Sequence, residues 1–204
     1  MTVEKSAGRR KTATHWKRFG LIAVPAFVVS GAMLAATGTG AVAASFAIAG
    51  TNFKIHANKL HGEGMTQYGT VDKTVDGKSQ AVAVNAFKKV ELYSLCQSMV
   101  IPTPVKDITI KLTAGSDTDP VEATNMVTDL DLLQGDVVFN NPRIGIDAST
   151  SDRGPVSGDK GAFSLDATSV DINDVDIQAW ATTAGTFKLK GLKMTAAFGK
   201  DECF

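Results

Sequence analysis

Apolar and polar residues alternate along most of the chain after residue 45, and the alternation predicts strands. Phe46, Ile48, Phe53, Ile55 and Ala57 share one side while Lys54, His56 and Asn58 take the other, the pattern of a half-buried strand. Gly62, Gly64 and Gly69 interrupt the run, so a break is expected there. Asp72 to Ser79, with Asp76-Gly77 inside it, reads as a hairpin turn before Ala81 to Val84 resume the alternation. Val90, Leu92 and Leu95-Cys96 follow, then Val100-Ile101 and the Pro102-Thr103-Pro104 break. Ile108, Ile110 and Leu112 keep strict period two and end in a polar turn from Gly115 to Pro120. A further block runs through Val127, Leu130, Leu132, Val137 and Phe139 and closes with Ile144 and Ile146. Ala148 to Gly161 is the longest polar stretch and is expected to be a mobile loop. After it Phe163, Leu165, Val170, Ile172, Val175, Ile177, Phe187 and Leu189 continue as strand.

No window of this region keeps a helical period, so helix should be scarce. Asn52 to Leu60 aligns weakly with Thr186 to Met194, and Ala86, Ala123 and Ala167 each precede a valine by three or four residues. Degenerate blocks at uneven spacing suit an elongated, curved or solenoid-like β-sheet better than an immunoglobulin-like sandwich. The expected class is all-β: a single such domain after an N-terminal apolar helix.

That helix is Phe19 to Ala44, a charge-free, mostly apolar run preceded by Lys5, Arg9, Arg10, Lys11, Lys17 and Arg18. A basic leader, an apolar centre and the small-residue exits Ala41-Val42-Ala43 or Val42-Ala43-Ala44 make a secretory signal. An uncleaved anchor is the competing reading, weakened by Pro25 and by Gly38 and Gly40. Either way residues 1–44 are a signal peptide or membrane anchor and 45–204 an exported domain, extracellular or on the outer face of the cytoplasmic membrane. The leader holds six of the 21 basic and one of the 21 acidic residues, which leaves residues 45–204 near −5. With no dense basic cluster beyond Lys88-Lys89 and Lys188, Lys190 and Lys193, a nucleic-acid partner is not expected.

Both cysteines, Cys96 and Cys203, lie in the exported part, and an even count in an oxidising compartment favours a disulfide between them. Catalytic equipment is scarce. Gly-x-Ser-x-Gly is absent, and the nearest look-alike, Gly154-Pro155-Val156-Ser157-Gly158, has the wrong spacing and no helix signal behind it. His56 and His61 are the available general bases; five residues apart on a strand, they are expected on opposite faces and so not as a zinc pair. Asp129, Asp131 and Asp136, and Asp171, Asp174 and Asp176, form acidic blocks without calcium-loop spacing and read as solubilising residues. Trp180 is expected in the core. No catalytic, metal or cofactor residue is assigned.

Leu95-Cys96-Gln97-Ser98 with Pro102-Thr103-Pro104, Ile108-Thr109-Ile110-Lys111, Ile146-Asp147-Ala148-Ser149, Gln178 to Phe187 and the Glu202-Cys203-Phe204 ending resemble a group of actinobacterial exported or membrane-anchored proteins of unknown function, some named cholesterol esterase. The resemblance implies an envelope location and a multi-span membrane protein as partner. Together with the apolar strand faces it leads to an expected role as a non-enzymatic cell-envelope protein that holds a lipid ligand in a groove, provided the sheet stays partly open; a closed sandwich or filled solenoid would leave no such groove. The alternative is a secreted lipid or sterol esterase with a noncanonical site, for which Ser157, His56 and His61 would be the candidates.

Overall fold

A computed structural model describes residues 50–204; the leader lies outside the described residues. The alternating segments become nine strands of one antiparallel sheet: β1 (Phe53–Lys73), β2 (Ser79–Tyr93), β3 (Leu95–Ile101), β4 (Ile108–Ala114), β5 (Val121–Asn140), β6 (Arg143–Asp147), β7 (Phe163–Thr183), β8 (Thr186–Lys188) and β9 (Lys193–Phe198). Among the described residues the single helical element is the 3₁₀ turn Ala148–Thr150. The chain is therefore all-β, and of the expected forms the curved sheet is the one realised.

The curvature goes as far as closure. β1 pairs with β2 along one edge and with β7 along the other, while β5 pairs with both β2 and β7. These four long strands form a ring, which removes the free edges that a flat sheet of such length would expose. The ring interior is packed with Leu60, Phe87, Met126, Val170 and Ile172. β3 continues β2 along β1 in unchanged register, Lys59 facing Tyr93 and His56 facing Cys96. From β3 the sheet runs on through β4 to β9 and leaves the ring as a three-stranded wing. All the pairings, the core and both cysteines lie within residues 53–204, so this unit closes on its own core.

The glycines expected to end the first strand do not do so. Gly62 pairs with Val90 and Val170 inside the ring, and a Cβ there would stand 2.6 Å from the Phe87 ring. The glycine is thus a packing requirement of a narrow ring rather than a break. Gly64, at φ +63°, is skipped by the ladders on both sides while the register holds on either side of it, a local irregularity that glycine permits.

Ala148 to Gly161, expected to be mobile, is a strap fastened across β1 and β7. The Asp147 carboxylate caps the 3₁₀ turn by accepting from the Ser149 N–H, and Ala148 is fully buried. Arg143 donates to the buried Asp166 carboxylate at 2.8 and 2.6 Å and also to Asp152 of the strap. Ser151 donates to Asp166 at 3.0 Å, and the Gly154 N–H donates to the Thr66 hydroxyl at 2.9 Å. Polar side chains that read as solvent-facing in sequence are the fastenings.

Candidate functional site

Where the ring meets the wing, a cavity of about 300 Å³ opens to solvent. Its floor is Leu92 of β2, Met126 of β5 and Ile177 of β7, all core residues. Its wall is Ile55 of β1 with Leu95 of β3, and Phe53, Ala184 and Phe187 form the lip. Gln97 and Thr182 are the polar side chains of the lining. The cavity exists because the strands cannot close fully here: β3 turns toward β4, and β7 ends at Thr183 before β8 resumes the pairing on β5. An apolar cavity with a few polar groups at the mouth of a β-barrel is a usual small-molecule site.

The lining continues outward along the wing. Gln97, Met99 and Ile101 of β3 face Leu112, Ile110 and Ile108 of β4, which face Met194, Ala196 and Phe198 of β9. Period two places all nine on the side that holds Leu95 and Ala114 in the core. The opposite side is covered by the C-terminal tail. There Cys96 and Cys203 stand at disulfide distance, Sγ to Sγ 2.00 Å. The Cys203 N–H donates to Ser98, Thr109 donates to the Gly199 carbonyl, and Lys111 and Lys54 pair with Asp201 and Glu202.

The titratable residues singled out in sequence lie elsewhere, on the outside of the ring. His56 and His61 share that outer face, contrary to the expectation from their spacing. Ile55 and Ala57 point inward, and so do Leu60 and Gly62, because the ladders skip Asn58. Its two neighbours in register, Ser94 at φ 54° and Asp174 at φ 49°, are left-handed, and the irregularity advances the phase by one residue. Each histidine meets the carboxylate directly across β7, His56 Nδ1 to Asp176 Oδ1 at 2.7 Å and His61 Nδ1 to Asp171 Oδ1 at 2.9 Å. The His61 hydrogen bond, with Lys59 beside it, holds the Asp171 carboxyl below the usual carboxylate range.

Trp180 is half-buried on this outer face rather than in the core, its indole N–H donating to Asp131 at 3.2 Å. Asp129 sits between β2 and β7, where burial first and the Asp72 charge second push its carboxyl up to about 6. Ser157 is exposed on the strap. Among the described residues no hydrogen bond joins a serine to either histidine, and no group of three His, Cys, Asp or Glu side chains could hold a metal ion. Of the basic residues noted in sequence, Lys89 pairs with Glu91, Lys188 with Glu122 and Lys190 with Asp119.

Sequence reasoning named Phe53, Ile55, Leu92, Leu95, Ile177 and Phe187 as strand residues but could not bring them together. Met126 and Ala184 carried no signal.

Fold and cavity together define a disulfide-distance-tied antiparallel β-barrel with an apolar mouth. A family model matches residues 49–204, and the chain belongs to that family, the family of unknown function DUF6230. No curated protein and no solved structure matches the chain.

Proposed function

We propose that this protein is a non-enzymatic envelope protein that holds a single apolar lipid chain in the barrel mouth. The observation that supports it is the continuity of the cavity with an uncovered apolar wing: a chain entering past Phe53 and Phe187 would lie against Leu92, Met126 and Ile177. Each methylene removed from water there contributes about 0.8 kcal/mol. Gln97 and Thr182 at the rim offer hydrogen bonds to an ester or hydroxyl head. Location outside the cytoplasmic membrane is part of the proposal; the cysteine pair at disulfide distance fits an oxidising compartment. A multi-span membrane protein as partner also belongs to it, on the resemblance alone.

Native mass spectrometry with lipid extraction on residues 45–204 tests this reading. The parent protein should carry a stoichiometric lipid, and Ala184→Trp, a substitution at an exposed lip position, should fill the mouth and lose it. A parent that is empty, or an Ala184→Trp protein that keeps its lipid, would overturn the assignment.

A further inference from the structure

We infer that the wing is a bilayer-docking surface, which seats its tip and apolar face on membrane bearing anionic lipid headgroups. Three independent observations meet there.

The first is exposure in a prearranged shape. The turn between β3 and β4 is closed by the Thr103 hydroxyl donating to the Lys106 carbonyl at 2.8 Å, and it presents Val105 at 93% exposure. Beside it stand Phe198 at 73% and, further along β9, Met194 at 63%. Ile108 of β4 and Ala196, Ala197 and Phe198 of β9 line a shallow hollow at the wing's end. The other face of the wing is already covered by the tail and its Cys203 anchorage. Only the apolar side is available, and β9 has no further strand beside it among the described residues.

The second is charge. Residues 45–204 are acidic as a whole, yet the acids near the wing are already engaged: Asp201 by Lys111, Glu202 by Lys54, and Asp107 by Lys200 at 3.9 Å. Lys106 at the tip has no ion pair among the described residues, while Lys193, in register with Thr113, stands on the tail side of the wing. Aliphatic and aromatic side chains beside a free lysine match the boundary of an anionic bilayer, where the apolar groups enter the acyl edge and the cation meets phosphate.

The third is where the chain enters. Lys54 pairs with Ser98, so Phe53 lies alongside Met99, two residues from the end of β3 at Ile101. The described domain is thus entered at the wing end, from the sequence direction that holds the uncharged run Phe19 to Ala36.

This inference stands apart from occupancy of the cavity, and the two can fail separately. Residues 45–204 are mixed with vesicles of phosphatidylcholine alone or with about 30% phosphatidylglycerol, and binding is read by co-sedimentation against salt. Binding should favour the anionic vesicles. Lys106→Glu should weaken that preference, each unit of charge counting for roughly a fivefold change in partition. Val105→Asp and Phe198→Ser, both exposed and hence compatible with the fold, should weaken binding by about tenfold with an unchanged melting temperature. Ala184→Trp should bind vesicles like the parent whether or not the cavity holds lipid. No binding to either vesicle, or binding indifferent to Val105→Asp and Phe198→Ser, overturns the inference. So does a dimer in size-exclusion chromatography that Phe198→Ser dissociates without any change in vesicle binding; a second copy would then be the occupant.

Discussion

At Asp129 the protein keeps a carboxyl where its charged form is disfavoured, and this has a pH signature. With the folded pKa at about 6 and an ordinary value near 4 in the unfolded chain, the folded state binds the extra proton between those limits. The contribution of this group to stability is therefore greatest below about pH 4, falls as the pH rises from there to about 6, and is level above. Asp129→Asn should remove the penalty, raising stability at pH 7 by about 1 kcal/mol after allowance for partial solvation and by nothing at pH 4. Urea titrations at the two pH values check it. Gly62 makes a steric demand instead. Its missing Cβ is the space that Phe87 occupies at 2.6 Å, so Gly62→Ala should cost about 1–3 kcal/mol through a displaced, fully packed ring. The glycine was legible, but its reason was not, because Phe87 is brought there by a strand 25 positions along.

The strap shows how an element can be misread when its partners are distant. A run rich in Ser, Asp and Gly has no apolar anchor, and sequence alone favours mobility. Its anchors are polar and buried instead: Asp166 lies under it with no exposure and accepts from Arg143 and Ser151. The Arg143 guanidinium holds the Asp166 carboxyl below its usual range. Asp166→Ala would strand Arg143, Ser151 and Arg153, which stands 3.5 Å from the carboxylate, a loss of about 2–3 kcal/mol once the partial exposure of Arg143 is allowed for. The strap should then be cut early in limited proteolysis, between residues 150 and 161, while the ring persists. A strap cut no faster than in the parent would show that its packing on Thr66 and Tyr68 suffices.

For the whole molecule, the cysteine pair ties the tail to the wing across 107 residues of sequence. Replacing both cysteines by alanine should lower stability by up to about 4–5 kcal/mol in the chain-entropy account. The tail would also be freed from Ser98 and Thr109, exposing the wing's second face. The expected readout is a lower unfolding midpoint, reproduced by adding reductant to the parent.

The sequence by itself determined the β class, most turn positions and the two cysteines, because period-two alternation and turn chemistry are local. Even there it carried a fault: left-handed residues at Ser94, Asn125 and Asp174 shift the phase, and a single misplaced phase reversed the reading of His56 against His61. Asparagine, aspartate and serine at positive φ look like ordinary polar positions in an alternating strand. Tertiary structure alone decided that β1 meets β7, that the ring closes, and that Leu92, Met126, Ile177 and Phe187 surround one cavity. Strand pairing exchanges one backbone partner for another of nearly equal energy, so which strands meet follows from the joint packing of side chains far apart in the chain. No local pattern encodes that choice.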